Sequence, residues 1–194
     1  MFQLTYGLYV LTAREGEKDN GCIINTASQV TTTPNQIVVT VNKDNLTHDM
    51  IMHTGLFNVS VLTEGASFAT FQNFGFQSGR AADKLAKVEF ARGENGITYL
   101  TKETNAVISG KVKHSVDLGT HTMFIADVTD ARVLDEGNSV TYTYYQKNIK
   151  PAPEKKTSGW ICTVCGYIYE GDTLPEDFTC PICKHGVSDF VRQN

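Results

Sequence analysis

The sequence predicts a mainly β protein, an antiparallel barrel or sandwich with few helices, followed by a small cysteine-rich domain. Short runs rich in Val, Ile, Thr, Tyr and Phe, the residues that favour strands, alternate with turn-forming residues. Only a few stretches carry a helical pattern, and four of the five cysteines lie near the C-terminal end. Many strands with few helices argue against a doubly wound α/β sheet.

The predicted strands lie between residues 6 and 146. They are Tyr6–Thr12, Gly21–Thr31, Gln36–Asn42, Leu56–Leu62, Ala106–Val116, His121–Val133 and Val140–Gln146. A helix is predicted over Leu46–His53, after an Asn/Asp-rich turn that could cap it, and another over Ser67–Phe74, which has aromatic residues at helical spacing. We expect a further turn over Arg80–Ala86.

Composition and charge exclude several classes of function. The chain of 194 residues is 41% hydrophobic and 20% charged, with a formal net charge of −4. We therefore expect neither disorder nor a basic surface for nucleic acid. No run approaches the ~18 apolar residues of a membrane span, and Met1–Arg14 lacks the pattern of a secretory signal. We expect a cytoplasmic protein that binds neither nucleic acid nor membrane.

A change of composition divides the chain into two domains. Residues 149–158 contain two prolines, three lysines and no aromatic residue, which is typical of a solvated, semi-extended linker. The sequence therefore predicts a β domain over residues 1–148, a flexible linker over 149–158 and a small domain over 159–194.

The small domain contains two Cys-x-x-Cys pairs, whose members are Cys162, Cys165, Cys180 and Cys183. A domain of about 36 residues cannot bury enough apolar surface to fold unaided, and four thiolates around one metal ion would supply the missing stability. Gly166 follows the first pair, where a positive φ lets backbone N–H groups point at sulfur. The spacing alone is compatible with both zinc and iron.

The residues around these cysteines resemble rubredoxin. The matching segments are Cys-Thr-Val-Cys-Gly-Tyr-Ile-Tyr over 162–169, Leu-Pro-Glu-Asp-Phe over 174–178, Cys-Pro-Ile-Cys over 180–183 and Asp-Phe over 189–190. This resemblance implies a single iron that passes one electron at a time. The segment departs from ordinary rubredoxins in its shorter spacing between the two pairs, which is closer to the rubrerythrin type. It also has Lys184 where a second glycine is usual.

The β domain carries two polar stretches that suit a phosphorylated cofactor, although it lacks the Gly-rich motifs of dinucleotide-binding and Walker loops. The first is small and polar in a strand context and could lie along a flat heterocycle; it consists of Asn25, Thr26, Ala27, Ser28, Gln29, Val30 and Thr31. The second, residues 42–48, runs into a predicted helix whose first N–H groups favour an anion. Ordinary polar turns explain both stretches equally well.

Further motifs lie in the same domain: Asn20-Gly-Cys22, Ser78-Gly-Arg80, Asp83-Lys84, and Thr120-His121 ahead of residues 124–128. With the two polar stretches, they resemble the flavin reductase-like split-barrel proteins that bind FMN. The resemblance implies a split antiparallel FMN-binding β-barrel, a non-covalently bound FMN, and a homodimer whose interface helps form the site.

The same resemblance assigns roles by position. Residues 25–31 would line the isoalloxazine ring. The residues near the phosphate would be Asn42, Lys43, Asn45, Thr47 and His48. His121 would face the nicotinamide, although Thr120-His121 stands where Gly-Asp-His is often found. We expect Cys22 to be a small core residue, and Arg80 and Lys84 either to bind a cofactor phosphate or to belong to a solvated helix face.

A flavin domain joined to a rubredoxin-like domain would connect two kinds of electron transfer. A nicotinamide delivers two electrons as a hydride, thiolate-bound iron accepts one, and a flavin can exchange either number. The whole chain resembles flavin reductase–rubredoxin fusion proteins. This resemblance implies an NAD(P)H-dependent oxidoreductase that passes electrons through FMN and iron to a flavodiiron protein reducing nitric oxide or dioxygen.

Two alternatives stay open from the sequence. In the first, the protein is a flavin or ferric reductase that releases reduced FMN, and the cysteine domain is a zinc-filled docking module. In the second, the barrel is a non-catalytic FMN carrier that another protein reduces. The colour of the protein tests the first alternative, because a ferric tetrathiolate site is red and a zinc site is colourless. Bleaching of the flavin by NADH or NADPH tests the second.

Overall fold

The computed structural model describes residues 4–151 and 159–193. By its contacts, the chain divides into two units, residues 1–150 and 151–194. The predicted linker of residues 149–158 begins with the end of a helical turn at Ile149, and its residues 152–158 lie outside the described residues.

The first unit is an antiparallel β structure with short helices between the strands. Its strands are β1 (Tyr9–Glu15), β2 (Lys18–Ile24), β3 (Ala27–Thr32), β4 (Asn35–Asn42), β5 (Leu56–Leu62), β6 (Phe90–Arg92), β7 (Thr98–Leu100), β8 (Thr104–Asp117) and β9 (His121–Val133). Its helices are α1 (Leu46–Thr54), α2 (Phe68–Gly75) and α3 (Tyr142–Tyr144), and a π-helical turn, Tyr145–Ile149, follows α3.

The main sheet curls into a barrel because of how its two edges are connected. Its strand order is β2-β1-β5-β8-β9-β4-β3, so β2 and β3 lie at opposite edges although only Asn25 and Thr26 separate them in the chain. A link this short brings the two edges together, and the Thr40 N–H donates to the Thr26 carbonyl at 3.2 Å beside it. We call this junction the seam.

The seam corrects one sequence prediction. A single strand was predicted over Gly21–Thr31, whereas the structure ends β2 at Ile24 and starts β3 at Ala27. The run Ile24-Asn25-Thr26-Ala27 has no Gly or Pro, and strand propensity alone does not mark a chain that leaves one edge of a sheet for the other.

The barrel interior is apolar and closely packed. Its core residues are Leu11, Ala13, Cys22, Ile24, Ile37, Val39, Val41, Met50, Ile51, Phe57, Val59, Phe124 and Ala126. The residues Met50 and Ile51 come from α1, which is therefore packed on the barrel as its predicted apolar positions require. The predicted helices over Leu46–His53 and Ser67–Phe74 are confirmed by α1 and α2.

A second apolar layer covers the outside of the barrel. It contains Leu8, Val10, Leu62, Ala66, Phe71, Phe74, Leu85, Leu100, Val140 and Tyr145. The predicted strand over Val140–Gln146 is wrong, because this segment forms α3 and the start of the π-helical turn. Packing overrides strand propensity here, since the rings of Tyr145 and Phe71 lie in tilted contact with their centroids 4.5 Å apart.

The second unit is a small sheet with an aromatic interior. Its strands are β10 (Gly159–Cys162), β11 (Ile168–Tyr169) and β12 (Phe190–Gln193), in the order β11-β10-β12. Phe178 lies at the centre, with ring centroids 4.7 Å from Tyr169 and 5.4 Å from Phe190. Across the described residues of both units, no helix is long and apolar enough to cross a membrane.

Candidate active site and metal centre

A cleft of about 740 Å³ lies at the seam of the barrel. It is lined by Tyr6, Leu8, Ile23, Ile24, Asn25, Thr26, Thr40, Asn42, Asn45, Leu118, His121 and Tyr142. The sheet places these residues together because His121 pairs with Asn42 in the β4–β9 ladder, and the end of β2 lies across the seam from β4. Its volume is in the range of small-molecule and cofactor sites.

The N-terminus of α1 lies beside this cleft. Asn45 occupies the N-cap position, yet its side chain makes no capping hydrogen bond and lines the cleft instead. The N-terminal N–H groups of a helix attract anions, and they do so best where no side chain already satisfies them. The cleft therefore combines a polar rim with a helix end suited to negative charge.

The first polar stretch is divided between two places. Asn25 and Thr26 line the cleft, whereas Ala27, Ser28 and Gln29 line a separate groove of about 330 Å³ together with Tyr9, Asn35, Ile37, Val59, Val61, Ile108, Val128 and Ala131. We call this the apolar groove. Val30 is exposed at a bulge in the β3–β4 pairing, and Thr31 pairs with Gln36. The residues of this stretch lie in two places because β3, which starts at Ala27, leads away from the seam.

The second polar stretch is also divided. Asn42 and Asn45 line the cleft, whereas the ammonium of Lys43 lies 2.6 Å from Asp117 at the tip of the β8–β9 hairpin. The Thr47 side chain is fully buried and accepts a hydrogen bond from Asn20 Nδ2 at 2.9 Å. The hydroxyl of Thr47 is therefore engaged away from the cleft.

Cys22 lies beside Thr47 in the barrel core. It is 2% exposed, and burial raises the pKa of its thiol to about 11, although a hydrogen bond with Thr47 and the charge of Lys84 act in the opposite direction. The thiol therefore stays protonated at neutral pH, as expected for a core residue.

His48 lies behind the cleft in a hydrogen-bonded chain. Its Nε2 is 2.9 Å from Thr122 Oγ1, and its Nδ1 is 3.1 Å from Asp49 Oδ1. Asp49 in turn accepts from Arg80 at 2.7 Å, and the hydrogen bonds from Arg80 and His48 lower the pKa of Asp49. The chain connects β9, α1 and the loop after α2, so that the imidazole is held by both of its nitrogens.

Lys84 is buried, so it does not lie on a solvated helix face. Its Nζ donates to the carbonyls of Gly21 at 3.0 Å and Phe74 at 3.1 Å, and burial lowers the pKa of its ammonium.

The sequence did not predict Tyr6, Leu118 and Tyr142 as cleft residues. For Leu118 the sequence did carry a signal, an apolar residue beside Gly119 at the turn between two predicted strands. For Tyr142 it carried none, because the run Thr-Tyr-Thr-Tyr-Tyr over 141–145 has the composition of a strand.

The four cysteines of the second unit form a cage suited to one metal ion. Their Sγ atoms all lie within 4.8 Å of one another, and two of the separations are 3.5 Å, between Cys162 and Cys183 and between Cys165 and Cys180. A tetrahedral ion bound to sulfur at ~2.3 Å would separate the sulfurs by about 3.8 Å. A disulfide is excluded because its sulfurs are ~2.05 Å apart.

The two Cys-x-x-Cys turns, which we call knuckles, have the same backbone geometry. In the first, the Gly166 N–H donates to the Cys162 carbonyl at 2.8 Å, and the Cys162 N–H to the Tyr167 carbonyl at 2.8 Å. In the second, Lys184 takes the place of Gly166. Its N–H donates to the Cys180 carbonyl at 2.9 Å, and the Cys180 N–H donates to the His185 carbonyl at 2.8 Å.

Backbone N–H groups surround the sulfurs. The N–H of Tyr167 contacts the Sγ of Cys165, and that of His185 contacts the Sγ of Cys183. Burial opposes ionisation of Cys180, but the N–H groups of Cys183 and Ile182, with the neighbouring thiols, lower its pKa below the ordinary value. Such contacts favour thiolates, the form that binds metal, whereas burial raises the pKa of Cys165 and Cys183 above the ordinary value.

The comparisons with known proteins place both units. Residues 1–153 match the family described as flavin reductase like domain, and residues 160–191 match the rubrerythrin, rubredoxin-like domain. The chain therefore belongs to the flavin reductase like family, and its class is that of flavin-linked oxidoreductases. The resemblance inferred from the motifs and the predicted fold class are both confirmed.

One similar protein aligns with this chain across both units. The High molecular weight rubredoxin of Moorella thermoacetica is 39% identical, with 97% of this chain and 96% of that protein covered. The Ferric-chelate reductase (NAD(P)H) of Archaeoglobus fulgidus is 37% identical over 74% of this chain and 85% of its own length.

The fold is also found among solved structures. The NADH:FAD oxidoreductase of Streptomyces globisporus C-1027, in complex with NAD and FAD fragments, matches with a TM-score of 0.66. The match covers 79% of this chain and 89% of that chain at 23% identity, which shows a shared fold.

Proposed function

We propose that this flavin-linked oxidoreductase takes electrons from NAD(P)H at the barrel cleft and delivers them singly through an iron held by the four cysteines. FMN bound in the cleft would supply the chemistry that divides a hydride's electron pair. A separate redox protein of the flavodiiron type, which reduces nitric oxide or dioxygen, would be the final acceptor. We place the protein in the cytoplasm, where thiols stay reduced.

The cleft supports the flavin part of this proposal. Asn25 and Thr26 offer polar groups along one wall, whereas Asn42 lies at the end of β4 and Asn45 at the uncapped N-terminus of α1. A flavin phosphate is an anion, and a helix N-terminus is a ready site for it. Under this proposal His48 supports the cleft from behind through Thr122, and Lys43 holds the tip of the β8–β9 hairpin through Asp117.

His121 is proposed to face the nicotinamide. It is half-buried on the cleft wall, and its Nδ1 lies 2.8 Å from Thr120 Oγ1, which fixes the orientation of the ring. His121→Ala should slow flavin reduction by NADH while flavin affinity stays near that of the unaltered protein. His114→Ala is the matched control, because His114 is an exposed residue of the same hairpin outside the cleft.

The proposal that electrons leave through the metal centre rests on the exposure of the sulfurs. Cys162 and Cys180 are buried, whereas Cys165 and Cys183, the second cysteine of each knuckle, are half-buried. A metal in this cage would therefore be enclosed on one side and close to solvent on the other. An electron-transfer centre needs such an approach for its partner, whereas a purely structural site does not.

An anaerobic titration with NADH, followed by absorbance, tests the proposal. We expect flavin bleaching first and loss of the ferric thiolate bands afterwards, with iron near one atom per chain. Cys165→Ser should abolish electron delivery to a protein acceptor while flavin reduction persists. Cys22→Ala is the control, since Cys22 lies in the barrel core and not in the cage. Loss of both activities in Cys165→Ser alone would overturn the proposal.

One observation favours a second candidate function. The similarity to the ferric-chelate reductase of Archaeoglobus fulgidus spans only 74% of this chain, less than the two units together. A reductase that releases reduced FMN, with zinc in the cage, fits this similarity. Metal analysis separates the candidates: a colourless zinc-loaded second unit would favour the reductase, and a red iron-loaded one would favour the electron-transfer chain.

A second copy of this chain is proposed to cover the apolar groove. Tyr9, Ile108 and Val128 stay partly exposed there although they pack against the barrel core. Apolar residues that cross several strands and stay open to solvent favour association. A homodimer formed in this way would be seen by sedimentation, and a monomer at all concentrations would contradict it.

A further inference from the structure

Lys184 holds a backbone conformation that a lysine seldom adopts. Its φ is 62°, and Gly166, at the equivalent position of the first knuckle, has a φ of 80°. Among the non-glycine residues that the structure describes, only Glu103 shares a positive φ. The left-handed region is costly for a residue with a Cβ atom, and glycine avoids this cost. A strained residue beside a functional centre points to a role for its side chain.

The position of Lys184 connects it closely to one sulfur. It lies between Cys183, a cage residue, and His185, whose backbone N–H contacts the Cys183 Sγ. Its own N–H donates to the Cys180 carbonyl at 2.9 Å, so the backbone of Lys184 is fixed to both cysteines of the second knuckle. The side chain of Lys184 is therefore attached one residue from the half-buried Cys183.

The charge of Lys184 is not neutralised within the described part of the chain. The residue is exposed, and none of the ion pairs among the described residues includes it. The first knuckle, residues 162–167, contains no charged side chain. The two knuckles thus share a backbone geometry and differ in the presence of the Lys184 ammonium.

We propose that Lys184 raises the reduction potential of the metal centre through its charge. This inference rests on the proposed function, in which the metal is iron. Four thiolates around ferric iron carry a net charge of −1, and one electron makes this −2 without a bond or a proton being exchanged. A nearby cation favours the more negative state, so the ferrous form is stabilised. Water and salt screen an exposed ammonium, which keeps the effect modest.

Redox titration of the full-length protein at low and high salt tests this role. Lys184→Gln removes the charge and keeps the Cβ, Lys184→Arg keeps the charge, and Lys184→Gly removes both the charge and the strain. At low salt we expect Gln and Gly to lower the iron potential equally and Arg to leave it unchanged. The shift should stay below about tenfold in the ferric/ferrous equilibrium, or about 59 mV for one electron.

Added salt distinguishes a charge effect from a structural one. The gap between the unaltered protein and Lys184→Gln should close as salt rises, and the flavin potential, read in the same titration, should not move. An unchanged iron potential in Lys184→Gln, or a shift that is independent of salt and shared by Lys184→Arg, would overturn the inference. A protein with no one-electron iron transition at all would instead show that the proposed function has failed, and the inference with it.

Discussion

The two units of the chain are held together in different ways. The barrel core contains large side chains with almost no exposure, such as Phe57 and Phe124. In the second unit, the fully buried cluster consists of Cys162, Cys180 and Phe190, and two of these are cage residues. The barrel can therefore fold on apolar burial alone, whereas the second unit depends on its metal. In the smaller unit, stability and the proposed redox centre therefore depend on the same cysteine sulfurs.

Removing the metal should produce the largest effect, and only in the second unit. Structural metal sites contribute on the order of 10 kcal/mol to folding, so a chelator or Cys180→Ser should unfold this unit. Trp160 is the only tryptophan of the chain and packs on the cage cluster, so its fluorescence reports this unit alone. Its emission should shift to the red while the thermal transition of the barrel stays unchanged.

Truncating a side chain of the barrel core should destabilise the barrel and leave the second unit folded. Phe57 is fully buried, and its ring lies against Gly110, where a Cβ would collide with it. Phe57→Ala leaves a cavity that costs about 3–5 kcal/mol, measured by denaturant unfolding of the barrel. The absorbance of the metal centre and the Trp160 emission should persist. Loss of the metal in this variant would show that the two units are not independent in stability.

A charge in the apolar groove should weaken the proposed dimer. Ile108→Glu would bury a carboxylate without a partner, so we expect the dimer dissociation constant to rise at least about tenfold, or ~1.4 kcal/mol, by analytical ultracentrifugation. Val133→Glu is the matched control, because Val133 is 81% exposed and outside the groove. Equal dissociation of both variants would argue against the groove as the interface.

The smallest expected effect concerns the backbone strain at Lys184, which the first knuckle avoids with Gly166. Lys184→Gly relieves a left-handed residue and should stabilise the second unit by about 1 kcal/mol. We expect slower metal loss to a chelator, followed by Trp160 fluorescence. Lys184→Ala, which keeps a Cβ, should show no such gain, and a gain of equal size in Lys184→Ala would mean that the strain is not its source.

The sequence predicted the second unit better than the cleft. Cys162 and Cys180 each start a pair with local spacing, so one short segment specifies the cage. The cleft instead depends on where distant strands meet: Asn25 and Asn42 are close only because the edges of the sheet join at the seam. Local patterns do not encode that closure.

The side chains of Thr47 and Tyr142 show the same limit in two ways. Thr47 stands one residue inside α1, where its polarity suggested a ligand contact, yet the helix turns it into the barrel towards Asn20. Tyr142 has strand propensity, but packing beside α2 places it in a helix on the cleft wall. In both cases tertiary packing, which is not visible in the residue pattern, decides the outcome.

Because of the seam, a ligand bound in the cleft would also stabilise the closed form of the barrel. A molecule that contacts Asn25 on one edge and Asn42 near the other bridges strands that the covalent chain joins through only a short link. Binding to the closed form alone would add about 2.7 kcal/mol at a hundredfold excess over the dissociation constant. If the proposed flavin occupies the cleft, its depletion would then loosen the barrel and expose the chain to proteolysis.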